Sequence, residues 1–175
     1  MRIIERSLER LYGLPCWGLN WDSQVGLSMS FGQPHLRIRD PKESRSKSVL
    51  VRQIMSYRQV TVRGRYWLWI QCAFWRLSLR DYGPATGGSS DRRIKKALAW
   101  LDGQQLKRAF LHPETCATRF VFDLGATLDV RRFSRDEPGD LWTLYKPGGH
   151  ALSVRGDGRY SNGRSYRWKS IPRDV

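Results

Sequence analysis

The chain has 175 residues, sets 31 Lys and Arg against 16 Asp and Glu, and carries a formal net charge of +15. That length holds one domain, and 40% apolar content with eight Trp is enough to build its core in spite of the charge. No run approaches the roughly eighteen apolar residues of a membrane span, and the charged opening MRIIERSLER is not a secretory leader, so a soluble, cytoplasmic protein with no membrane partner is expected.

In chain order, Ile3, Ile4, Leu8 and Leu11 recur at helical spacing and predict a short amphipathic N-terminal helix. Segment 10–24 is left open between a strand and packing through Trp17 and Trp21. Val25, Leu27, Met29 and Phe31 alternate with small polar residues, and Gly32-Gln33-Pro34 before Leu36 and Ile38 reads as the turn of a hairpin. A polar, basic stretch over 44–48 precedes Val49, Leu50, Val51, Ile54 and Met55, which suit one or two helical turns. Val60 and Val62, then Gly64, then Tyr66 through Trp75 predict a second hairpin with a long central return strand, apolar on both faces. Residues 81–90 (DYGPATGGSS) read as a loop. A helix follows over 91–102, with Ser90 or Asp91 as cap, Ile94, Ala97, Leu98 and Leu101 on one face, and Gly103 at its end. Two more hairpins are predicted, from Thr118, Phe120 and Phe122 to Leu128 and Val130, and from Trp142 and Leu144 to Leu152 and Val154.

A shift of 93 positions lays Val25, Leu27, Met29, Phe31 and Gly32 over Thr118, Phe120, Phe122, Leu124 and Gly125, which suggests an internal repeat. The expected fold is mainly β: an antiparallel sheet, open barrel or sandwich of about eight to ten short strands in two similar halves. The single domain then divides into a first β half over 14–80, the 81–90 loop, the 91–102 helix, a second β half over 103–160 and a basic tail over 161–175.

Gly13-Leu14-Pro15-Cys16-Trp17, Leu101-Asp102-Gly103-Gln104, Phe122-Asp123-Leu124-Gly125 and Gly156-Asp157-Gly158-Arg159-Tyr160, taken in that order, resemble a family of small bacterial β-rich proteins with no assigned activity. Gly18 stands where that family has Asn. The resemblance spans about residues 11–162 and implies a bacterial, cytosolic β-rich domain; it brings no reaction, ligand or partner.

Candidate catalytic groups are sparse. His35, His112 and His150 lie in separate segments without ligand-spaced neighbours, so no metal site is expected. Cys16, Cys72 and Cys116 are odd in number, far apart and without a CxxC pair, which points to free thiols rather than a disulfide framework or a zinc site. Cys16 would be a nucleophile only if folding brought a histidine to it. Asp102, Asp123, Asp129 and Asp157 sit beside glycines or in hairpins, where Asp bonds turn amides. Gly87-Gly88 and Gly148-Gly149 lack the spacing of a phosphate cradle, so no cofactor is expected, and Ser89-Ser90 with Arg92, Arg93 and Lys95 offers at most a weak anion site at a helix start.

Charge is the uneven feature. Between 37 and 65 stand Arg37, Arg39, Lys42, Arg45, Lys47, Arg52, Arg58, Arg63 and Arg65 against Asp40 and Glu43; between 155 and 169 stand Arg155, Arg159, Arg164, Arg167 and Lys169 against Asp157. On strands, Arg37 and Arg39 share one solvent face, giving a positive patch that attracts polyanions. The alternative is a solvated face that aids solubility, made Arg-rich by genome composition. Trp67, Trp69 and Trp75 fall on one face of the predicted 66–75 strand. If open to water they form a stacking platform for single-stranded bases, and if covered they are core. The leading expectation is a non-enzymatic binding protein that meets an acidic macromolecule, such as a toxin or effector in an immunity-like role, through the two basic segments. The alternative is a nucleic-acid binder using the same arginines and tryptophans; an enzyme is the third and least supported reading. The oligomeric state is left open.

Overall fold

The computed structural model describes residues 2–133, 139–164 and 168–170, with the side chains of Trp168 and Ser170 left out. It begins with helix α1 (Arg2–Glu9), whose Ile4 and Leu8 are buried, followed by strands β1 (Cys16–Asp22) and β2 (Gly26–Arg39). Helix α2 (Val49–Met55) separates β2 from β3 (Gln59–Ile70). After β4 (Ala73–Leu79) and β5 (Tyr82–Thr86) comes helix α3 (Asp91–Leu101). Strands β6 (Leu106–Leu111), β7 (Thr118–Phe122), β8 (Thr127–Arg132), β9 (Asp140–Lys146), β10 (His150–Arg155), β11 (Arg159–Gly163) and β12 (Trp168–Ser170) complete the described chain. All pairings are antiparallel. One sheet has the order β1-β2-β3-β9-β10-β11-β12, the other β5-β4-β8-β7-β6, and they share one core.

The two halves follow the same route. A helix leads into a three-stranded meander (β1-β2-β3, then β6-β7-β8), and the chain turns a corner into the other sheet (β4-β5, then β9-β10-β11). Corner strand β4 pairs with β8 and corner strand β9 with β3, so each half completes the other's sheet. The helices cross over as well, α1 packing against β6 and α3 against β1. Between them the backbones exchange matching hydrogen bonds: Gly13 N–H donates to Leu106 O (2.8 Å) and Gly103 N–H to Cys16 O (2.7 Å). Both glycines are left-handed, at φ +75° and +86°, where a side chain would be strained.

Inward positions of both sheets meet in the core. Trp142 of β9 is fully buried, donates from Nε1 to Thr118 Oγ1 of β7 (2.9 Å), and sets its ring edge-to-face with Phe120. On α3, Ile94, Ala97, Leu98 and Leu101 are buried as the periodicity requires; Ser90 occupies the cap position without a side-chain bond.

Several expectations are corrected. Gly32-Gln33-Pro34 is no turn: β2 runs through it, with a bulge that sets two residues against Arg65. Gly64 is likewise mid-strand. The 66–75 run is two strands, because Cys72 at φ +50° turns the chain from one sheet into the other between Ile70 and Ala73. Trp75 therefore leaves the face of Trp67 and Trp69 and is buried, edge-on to Trp21. The 81–90 segment contains β5, and 10–24 contributes β1. Residues 161–163 and 168–170 of the expected basic tail are strand. The shift of 93 is also off at its end: Phe31 pairs with Cys16 as Phe122 pairs with Leu106, so Phe31 answers to Phe122 rather than to Leu124.

Candidate binding surface

Hairpin β2–β3 outruns its sheet. Up to Phe31 and from Tyr66 onward it has neighbours on both sides, β1 and β9. Beyond them the pairs Pro34–Gly64 through Arg39–Gln59 have, among the described residues, only each other, a two-stranded ribbon of roughly 20 Å. At its neck Gly64 passes so close that a Cβ there would lie 2.7 Å from Phe31 O, and its N–H donates to Ser30 Oγ (3.1 Å). At its end the chain loops through α2, capped by Ser48 Oγ accepting from the Val51 N–H, with no buried residue in the helix.

Strand alternation gives this arm two unlike faces. His35 opposite Arg63, Arg37 opposite Thr61, and Arg39 opposite Gln59 occupy one face, with Arg65 following on β3; Leu36 opposite Val62 and Ile38 opposite Val60 occupy the other. Arg37, Arg39, Arg63 and Arg65 form no ion pair among the described residues. Arg39 Nη2 and Arg63 Nε are buried and have no acceptor among the described residues. Burial, and then the neighbouring Arg37 charge, pull Arg63 below its ordinary value. Lys42, Arg45 and Lys47 are exposed in the segment between ribbon and α2.

The basic face runs on into the outer face of the larger sheet. The Arg63 guanidinium lies over the Trp67 ring at 3.9 Å, and that ring stacks with Tyr145 (4.9 Å) and Trp69 (5.8 Å). Trp67 and Trp69 are half-buried, and Trp69 Nε1 donates to Val25 O (2.7 Å). Arg164 is exposed beside Tyr145 and with it lines a cavity of about 120 Å³. Nearer the neck, Leu14, Pro15, Trp17 and Pro34 wall an apolar recess of about 530 Å³, with Trp17 held by its Nε1 bond to Gly32 O (2.8 Å).

The second basic segment does not join this surface as a block. Arg155 and Arg159 lie at the other end of the sheet, where both reach Asp157 Oδ2 (3.2 and 4.0 Å). Arg167 lies outside the described residues. Sequence reasoning found the arginines and missed the surface they share, because the supposed turn at Gly32–Pro34 separated Arg37 and Arg39 from Arg63 and Arg65. Pro34, which has no N–H to give to a sheet partner, and the Leu36/Ile38 alternation were the available signals for an extended edge.

The histidines stay apart: His35 on the ribbon, His150 at the start of β10, and His112 in the β6–β7 loop, where its Nδ1 accepts from the Glu114 and Thr115 N–H groups. Among the described residues no three His, Cys, Asp or Glu cluster in a metal-binding arrangement, and no helix is long and apolar enough to cross a membrane. Cys16 is buried, donates to Leu101 O (3.1 Å), and is pushed up to about 12 by burial, with Asp102 adding to the shift. Cys116 is buried and shifted upward for the same first reason; Cys72 is exposed.

Comparison with known proteins returns nothing. No family model, curated protein or solved structure matches the chain. The arm and the sheet face behind it are therefore read from their own geometry.

Proposed function

We propose that the protein is a binding protein that docks the acidic surface of a partner protein on the arginine face of the β2–β3 arm. The observation that carries this reading is four guanidinium groups on one face of a projecting ribbon, none of them ion-paired among the described residues. A guanidinium prefers a carboxylate in two-pronged geometry, and Arg37 and Arg65 present theirs to solvent on this face. Carboxylates on a protein are favoured over single-stranded bases because the Trp67 ring is already in contact with Arg63, Trp69 and Tyr145, and Trp75 is core. That leaves charge, rather than base stacking, as the recognition element.

The test uses labelled poly-glutamate and a homopyrimidine oligonucleotide of equal charge, titrated by fluorescence anisotropy at low and moderate salt. Expected is poly-glutamate binding that weakens with salt, is lost in Arg37→Glu/Arg39→Glu/Arg63→Glu, and is unchanged in Trp69→Ala. Absence of poly-glutamate binding at low salt overturns the reading. So does oligonucleotide binding more than about tenfold tighter than poly-glutamate and dependent on Trp69, which transfers the surface to nucleic acid.

A further inference from the structure

The other face of the arm asks a separate question. Leu36, Ile38, Val60 and Val62 form a two-by-two block in register, each between 54% and 63% exposed. It continues the inward face of the sheet, the face that carries Tyr66 and Leu68 into the core, but beyond Gly64 no second layer of described residues stands opposite it. Nine of the large apolar side chains exposed on this protein lie between 36 and 62, α2 supplying four of them. A two-stranded ribbon with no second layer is marginal in water.

We infer that a second copy of this chain covers this face, the two arms packing apolar side to apolar side. Charge placement supports a copy as the occupant. The unpaired arginines of the ribbon all lie on the opposite side, and by alternation the charges bordering the apolar block are Asp40 and Arg58, which neutralise each other at 2.9 Å. Along the ribbon two copies can therefore meet on this face without bringing uncompensated cations together, whereas an acidic partner is drawn to the arginine side. The area also suffices. At roughly 50 Å² for a half-exposed aliphatic side chain, the four ribbon side chains, with Leu50, Val51 and Ile54 that share one side of α2, give on the order of 350 Å² of apolar surface per copy. The smallest stable interfaces bury about 600 Å² per partner, a little over half of it apolar. The five-stranded sheet stands on the same side as the apolar face. Two arms thus meet with their ends pointing in opposite directions, which carries each α2 toward the body of the other copy.

The test is sedimentation of the full chain over a range of concentrations and salt, comparing the wild type with Leu36→Lys/Val62→Lys and with Arg37→Glu/Arg39→Glu. Expected is a two-copy mass for the wild type and the arginine variant, and a one-copy mass for the lysine variant with unchanged tryptophan emission. Added salt should strengthen the dimer, by screening two bodies of like charge, while weakening poly-glutamate binding. A one-copy wild type overturns the inference, and so does a dimer that survives Leu36→Lys/Val62→Lys. Neither result touches the acidic-partner reading, whose own failure is loss of poly-glutamate binding in a protein that still dimerises.

Discussion

Hairpins β2–β3 and β7–β8 occupy equivalent places in the two halves, yet one closes where the other sets out. After Phe122 the chain turns within 123–125 and Ala126 already stands opposite Phe122, whose N–H donates to Ala126 O (2.9 Å), before β8 begins at Thr127. After Phe31 it travels more than thirty residues before Tyr66 resumes the sheet. The inner residues on either side, Phe31 and Tyr66 in one half, Phe122 and Leu128 in the other, are all buried. Between Gly32 and Gly64 no apolar side chain is. The fold thus needs a three-residue turn at this place, and the arm is surplus to the core. A surplus segment that carries both unpaired arginines and bare aliphatic side chains is best explained by what it touches.

The largest effect expected from this comparison follows replacement of residues 32–65 by the sequence Asp-Leu-Gly, which stands at 123–125, so that Tyr66 again faces Phe31 as Ala126 faces Phe122. Poly-glutamate affinity should fall on the order of 100-fold or more, since every arm arginine is removed, and the dimer should be lost. The urea midpoint of the body should hardly move. If the shortened chain fails to fold, the arm belongs to the core's stability and the contrast between the hairpins breaks.

Next in size is the core itself. Trp142→Ala removes a buried indole, its bond to Thr118 and its contact with Phe120 across the sheets, at about 3–5 kcal/mol by urea unfolding. Poly-glutamate binding by the fraction still folded should be unchanged, because no arm residue touches this site. The two necks then separate two uses of glycine. Gly64→Ala drives a Cβ against Phe31 O and should cost about 1–3 kcal/mol through overpacking. Gly125→Ala has room, its nearest neighbour being Arg80 Cβ at 3.6 Å, but sits at φ +92° and should cost about 1–2 kcal/mol through backbone strain. Equal urea midpoints for the two variants are compatible with this; restored stability on shortening the Arg80 side chain in Gly125→Ala is not.

These cases also mark how far the sequence was readable. Alternation identified β2, β7, β8, β9 and β10, and the Ile94/Ala97/Leu98/Leu101 spacing identified α3, because each presents one side to the core and the pattern follows the side. Legibility ended where glycine and proline served inside a strand. Gly32, Pro34 and Gly64 carry the signature of turns but lie in a bulged ribbon, where a bulge accepts the first, an unpaired edge the second, and close approach requires the third. Cys72 gave no warning of a corner, since a positive φ at a non-glycine residue is imposed by the sheets on either side. The arginine surface was half legible: residue types and parity were visible, but which strands came together was a question of register.

The smallest effect concerns Cys16, whose counterpart at the crossing of the halves is Leu106; both are fully buried. The pairing of a thiol with a leucine indicates that Cys16 serves as a small apolar side chain, and its pKa states the same thing as a linkage. With burial raising the thiol to about 12 in the folded protein, against an ordinary value of 9.0, the neutral form is favoured by folding. Its contribution is complete below the unfolded value and declines as pH rises from there toward the folded one. Urea midpoints of the wild type should therefore fall more steeply than those of Cys16→Ala between neutral pH and about pH 10, with the difference between the two proteins greatest at neutral pH. A maleimide reagent at neutral pH should modify the exposed Cys72 and leave Cys16 and Cys116 untouched until the chain unfolds. Rapid labelling of native Cys16 would mean that the crossing of the halves opens readily, and the rigid body against which the arm stands out would have to be given up.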